Sequence, residues 1–241
     1  MNIIKRLDWT RMAGLAILVL GGVIVQLGGC NREQPVERTE AYYALHGLVP
    51  GQVNELQIGE YKFRFPAENF PEPYTYAKRA SDIVKGRAER ATVYLDVSRW
   101  VGLPLATHRA RGDNAISVEY RPAQTSQSEK EKRLADYIQS QPWTSNVDLP
   151  ELGLKRLHDA RGGWGYLTYM PISADIQNLS IGKPIFFCTG YQSLQPTECS
   201  SSLIYSKKIH ITYYFSGRLL PHWKEVHHEV LNFVDTTLIK N

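Results

Sequence analysis

The chain reads as an α+β fold, a mainly antiparallel sheet with a mid-chain helix and a C-terminal helix packed on it. Three observations predict it. Leu56-Gln57-Ile58 and Tyr61-Lys62-Phe63-Arg64-Phe65 alternate apolar with polar residues on either side of Gly59-Glu60, the pattern of a hairpin with one buried face. Ser128 followed by Glu131 has the spacing of a capping box, and Leu134, Tyr137 and Ile138 then recur at helical intervals. Near the end the period changes again, with Leu219, Trp223, Val226, Val230, Phe233 and Val234 spaced as one face of a helix. Strands joined by local turns, with helices set apart from them, indicate α+β rather than alternating βαβ units.

The first segment does not belong to that fold. Lys5, Arg6 and Arg11 precede an apolar run from Ala13 to Leu27, followed by Gly28-Gly29-Cys30. A basic start, a short hydrophobic stretch and small residues before a cysteine describe an export signal. The core is shorter than the roughly 20 apolar residues of a spanning helix, and its glycines weaken it further. Leu27-Gly28-Gly29-Cys30 resembles the lipobox of bacterial lipoproteins. The resemblance implies that residues 1–29 are removed as a lipoprotein signal peptide and that Cys30 carries acyl (palmitate) chains as the first mature residue. Asn31, where an aspartate would favour retention at the inner membrane, implies the periplasmic face of the outer membrane.

Removing residues 1 to 29 from 241 leaves 212, and the formal charge drops from +4 to +2 because the segment holds three of the basic residues and Asp8. So balanced a body shows no nucleic-acid footprint. It is long enough for one substantial core. Residues 30–44 read as the lipidated cysteine and a tether, polar through Arg32, Glu33, Gln34, Glu37, Arg38 and Glu40, and residues 45–241 as a single periplasmic domain.

Within that domain, Gly59-Glu60 suits a two-residue II′ turn, with glycine first. Pro66 ends the hairpin, and Pro66 to Arg90 reads as one long irregular loop. Thr92 to Val97 and Ile116 to Tyr120 are half-buried strands around an Arg111-Gly112-Asp113-Asn114 turn, whose Arg-Gly-Asp is ordinary turn chemistry rather than an adhesion motif. A helix follows from about Ser128 to Ser140. Trp164 to Met170, after the Arg161-Gly162-Gly163 turn, reads as a mostly buried strand, and Ile185 to Cys188 as another. Leu203-Ile204-Tyr205 pairs with Ile209 to Phe215 through Ser206-Lys207-Lys208, with Ile209, Ile211, Tyr213 and Phe215 on one face and His210, Thr212 and Tyr214 on the other. A helix from about Pro221 to Leu238 ends the chain.

Beyond Cys30, only Cys188 and Cys199 remain, and two cysteines in an oxidising compartment pair as a structural disulfide. His222, His227, His228, Glu225 and Glu229 crowd the last helix, but His222 and His227 are five apart and His227-His228 diverge, so the spacing fits a solvated face rather than a metal. No Gly-x-Ser-x-Gly elbow occurs, and Arg161 to Gly165 lacks the spacing of a nucleotide loop. The expectation is a non-enzymatic protein without cofactor or metal. Aromatic and arginine residues in long loops are hot-spot types, and Tyr74, Tyr76, Arg79, Trp100 and Arg109 are the candidate anchors for a protein partner.

The lipobox, the 56–66 hairpin ending in Pro66, the late Cys188/Cys199 pair and the strand-then-helix end from Ile209 through Trp223 together resemble periplasmic lipoproteins that act as immunity proteins to type VI secretion effectors. That resemblance implies a protein that binds and blocks a toxic partner, and it transfers no functional residues. Two other readings stand beside it: an accessory lipoprotein of envelope or secretion-machinery assembly, and an envelope hydrolase acting on lipid or peptidoglycan. A neighbouring gene for a secreted lipase or nuclease favours immunity, an assembly operon the second, and a buried polar cluster in a pocket the third.

Overall fold

A computed structural model describes residues 38–97, 115–140, 145–158, 166–173, 184–189, 196–205 and 208–240. The signal segment, Cys30, Trp100, Arg109, the 111–114 turn and Trp164 lie outside them. The elements are α1 (Glu40–Leu45), β1 (Asn54–Ile58), β2 (Tyr61–Phe65), β3 (Glu72–Tyr74), β4 (Arg87–Ala88), β5 (Arg90–Asp96), β6 (Ala115–Pro122), α2 (Gln127–Ser140), β7 (Ser145–Leu149), β8 (Leu154–His158), β9 (Tyr166–Pro171), β10 (Phe186–Thr189), β11 (Glu198–Tyr205), β12 (Ile209–Ser216) and α3 (Trp223–Thr237). Two short 3-10 turns, Ala80–Asp82 and Gly217–His222, complete them. Among the described residues no helix is long and apolar enough to cross a membrane.

The class is α+β, as the patterning predicts. Nine strands form one antiparallel sheet in the order β3-β5-β6-β12-β11-β10-β9-β8-β7, and β2-β1-β4 form a second, small sheet. The β1–β2 hairpin pairs Ile58 with Tyr61 across Gly59-Glu60, and Gly59 takes φ +61 while Glu60 stays at negative φ, the geometry of the II′ turn. Period-two alternation does the rest. Ala91, Val93 and Leu95 on β5, Ile116, Val118 and Tyr120 on β6, and Ile209, Ile211, Tyr213 and Phe215 on β12 all face one core.

The small sheet and α3 cover that inner face. Phe63 and Phe65 set their rings 5.0 and 5.6 Å from that of Tyr120, and Phe65 also meets Phe233 of α3. The helix buries the stripe Trp223, Val226, Val230, Phe233 and Val234. Its two ends are pinned: Trp223 Nε1 donates to the Leu152 carbonyl at 2.8 Å, and Ile239 N–H donates to Lys62 O at 2.9 Å. On the other face of the same sheet, α2 buries Ile138 with Leu157, Met170 and Ile185 in a smaller cluster. Both faces of β9 are therefore dry, with Leu167 and Tyr169 in one cluster and Met170 in the other. The disulfide joins Cys188 on β10 to Cys199 directly opposite on β11, both wholly buried and 4.0 Å apart at Cα.

Several boundaries differ from the sequence reading, each for a local reason. Residues Glu40–Leu45 form α1: Thr39 caps it through Tyr42 N–H, and Tyr42 and Tyr43 are core residues. The Tyr42 hydroxyl donates to Pro73 O, and buried His46 sets Nδ1 2.7 Å from Arg87 O, so α1 and its C-cap residue are docked to β3 and β4. The loop from Pro66 to Arg90 contains β3 and β4; Pro73 is tolerated because β3 is an edge strand. The α2 cap is Ser126 rather than Ser128, its hydroxyl accepting from Glu129 N–H at 3.2 Å. Pro221 sits inside the 3-10 turn, so α3 proper starts at Trp223. The β7–β8 hairpin is additional.

Candidate partner-binding face

Residues out of phase with the core on β3, β5, β6 and β12 make up an outer sheet face. Its rows follow from register. Tyr94 lies opposite Ser117, which lies opposite Tyr214; Glu72, Thr92, Glu119 and Thr212 form the next row; and Tyr74 faces Arg90. The Arg90 guanidinium stacks 3.8 Å over the Tyr74 ring and lies 4.0 Å from Glu119, while Tyr76 packs edge-on to Tyr74 at 5.3 Å. Arg38 bridges to Glu72 at 3.7 Å. Tyr214 is 36% exposed and Tyr76 71%.

Strands hold these side chains in fixed directions, so a partner would order few of them on binding, and Tyr with Arg supply large amphipathic contact area at low entropic cost.

The sequence-predicted anchors separate on this map. Tyr74 and Tyr76 come together with Arg90, which the sequence reading did not single out. Arg79 is exposed ahead of the Ala80–Asp82 turn, where its carbonyl accepts Asp82 N–H at 3.0 Å. Trp100 and Arg109 lie outside the described residues. Tyr94, Glu119 and Tyr214 were visible only as the polar phase of strands, a pattern that marks solvent-facing positions without ranking them.

Away from that face, a cleft of about 350 Å³ is lined by Pro171, Ser173, Pro184, Trp223, Lys224, His227, His228 and Leu231. His227 Nδ1 lies 2.8 Å from the hydroxyl of fully buried Tyr213, and burial, with His228 beside it, lowers the imidazole pKa to about 4. A neutral ring hydrogen-bonded to the phenol ties α3 to β12. His228 Nε2 is 3.0 Å from Asn232 Nδ2. Among the described residues no three His, Cys, Asp or Glu side chains are grouped to hold a metal.

No family model matches the chain, and no curated protein matches it. Comparison with solved structures finds an immunity protein of the Stenotrophomonas maltophilia type IV secretion system, at 13% identity and a TM-score of 0.50, over 79% of this chain and 94% of that one. The likeness is one of fold. The structural neighbour belongs to a type IV system, whereas the resemblance read from the sequence was to type VI immunity lipoproteins.

Proposed function

We propose that this chain is a lipid-anchored periplasmic protein that binds a protein partner and neutralises it, the partner being a secreted toxin. The observation that carries the reading is the fold it shares, across most of both chains, with a secretion-system immunity protein. The outer face of Tyr74, Arg90, Tyr94 and Tyr214 supports it as a preorganised contact surface. Cys30 would hold the body at the periplasmic side of the outer membrane through the polar residues 31–38.

The test is co-production of the full chain with the exported toxic product of the neighbouring gene. Growth should be restored, and the two proteins should form a stoichiometric complex. Tyr94→Ala combined with Tyr214→Ala should weaken that complex by about 2 kcal/mol or more while the fold persists. Unrelieved toxicity with no complex formed would overturn the reading, and hydrolysis of lipid or peptidoglycan by the chain alone would replace it with an enzymatic one.

A further inference from the structure

Arg121, Lys130, Ser202 and His210 come from β6, α2, β11 and β12 and meet beside the tyrosine face. Arg121 Nε lies 2.8 Å from His210 Nδ1, Lys130 Nζ lies 3.1 Å from His210 Nε2, and Lys130 Nζ donates to Ser202 Oγ at 2.7 Å. Proton counting shows that this arrangement lacks an acceptor. The guanidinium Nε always carries hydrogen, so Nδ1 must be the ring's lone pair, and the single proton of a neutral imidazole then sits on Nε2. That proton points at an ammonium, which has no lone pair to receive it. With each group in its ordinary neutral-pH state, one N–H is set against another.

The electrostatics follow the geometry. Burial, then Arg121, lowers Lys130 to about 8, with a weaker opposing influence from Glu131; burial, then Lys130 and Arg121, lowers His210 to about 4. Tyr214 on β12 interacts with Arg121 and also with Arg90, Glu119 and Glu198, and Glu119 itself lies within ion-pair range of Arg90. Among the described residues, neither Arg121 nor Lys130 has a carboxylate within ion-pair distance. The four residues gather donors and positive charge from four elements and include no carboxylate.

We infer that Arg121, Lys130, Ser202 and His210 form an oxyanion-binding site, which takes a carboxylate or phosphate group. An oxyanion accepts from the guanidinium fork, from the ammonium and from the serine hydroxyl, and it replaces the N–H to N–H conflict with charge-assisted hydrogen bonds. The inference does not rest on the toxin-binding reading.

The test follows the His210 ring by NMR in the intact protein, at constant ionic strength held with chloride, while inorganic phosphate or acetate is added. Either probe should shift the His210 resonances saturably in the millimolar range and raise its titration midpoint, leaving His227 unmoved. The tighter probe identifies the ligand class. Arg121→Gln and Lys130→Gln should each weaken binding about tenfold, and Lys130→Arg should retain it. A His210 ring that responds to neither anion, or that responds equally in wild type and both glutamine variants, overturns the site.

Discussion

Reduction of the Cys188–Cys199 bond should cost this domain about 3 kcal/mol, worked from the loop it closes. The cysteines are 11 residues apart in sequence and directly opposite in the β10–β11 ladder, so the bond restricts the unfolded chain across a short loop. In the chain-entropy relation a loop of that length removes about 9 cal/mol/K from the unfolded state, which at 25 °C is about 3 kcal/mol. For a body of this size, that corresponds to a fall in Tm of about 6–12 °C. Urea denaturation of the oxidised and the reduced protein measures it, and reduction isolates the cross-link because no atom is deleted from the core. A Cys188→Ala/Cys199→Ala chain should lose more, since both sulfurs are wholly buried and the truncation leaves cavities. A difference below about 1 kcal/mol between oxidised and reduced protein would refute the reasoning that the bond acts on the unfolded chain. Alkylation of both thiols before any reductant is added would refute the bond itself.

Acid should destabilise the fold between pH 6.5 and about 4, because His227 and His210 have folded pKa values near 4 against an ordinary 6.5. The unfolded chain binds more protons in that window, so stability falls as pH falls, by at most about 1.4 kcal/mol per pH unit for each ring and less where solvent screens it; a flat urea midpoint across the window would contradict this. Gly217→Ala should lower stability by about 2 kcal/mol or more, since an added Cβ would lie 2.0 Å from the backbone oxygen of Pro196. A variant with an unchanged urea midpoint would show that the corner can open without cost. Tyr76→Ala, at a ring 71% exposed, should leave stability within about 0.5 kcal/mol while lowering affinity for the partner. Cys30→Ser should move the chain from the membrane to the soluble fraction, and membrane retention of that variant would remove the lipid anchor from the account.

Much of the fold was legible because its strands are half-buried and alternate cleanly. The faces of β5, β6 and β12, the turn at Gly59-Glu60 and the apolar stripe of α3 all follow from period and turn chemistry alone. Where a local pattern had two solutions, it did not choose. Ser126 with Glu129 and Ser128 with Glu131 carry the same capping spacing, and the cap falls to Ser126. The β7–β8 hairpin stayed hidden because Ser145 to Leu149 is an exposed edge with little apolar content and Leu154 to His158 buries only Leu154 and Leu157. The binding face was half legible: Tyr74 and Tyr76 stood out as loop aromatics, whereas Arg90 read only as the end of that loop and Tyr94 and Tyr214 as the outward phase of strands.

The sequence by itself determined the β1–β2 hairpin, the buried phase of the strands it read, the α2 and α3 stripes and the cysteine pairing, because these depend on residues close in the chain or, for the two thiols, on elimination. Only the tertiary structure decided that β6 pairs with β12 from nearly a hundred residues later, that α2 and α3 take opposite faces of one sheet, and that Tyr42 and Tyr43 belong to the core. It also decided which polar residues meet. Arg121 and His210 are 89 positions apart, and nothing in the pattern around either one states that a guanidinium and an imidazole will share a hydrogen bond. Periodicity reports which side of a strand faces water, while contact between two outward residues depends on strand order and register, which are set by packing the whole sheet at once.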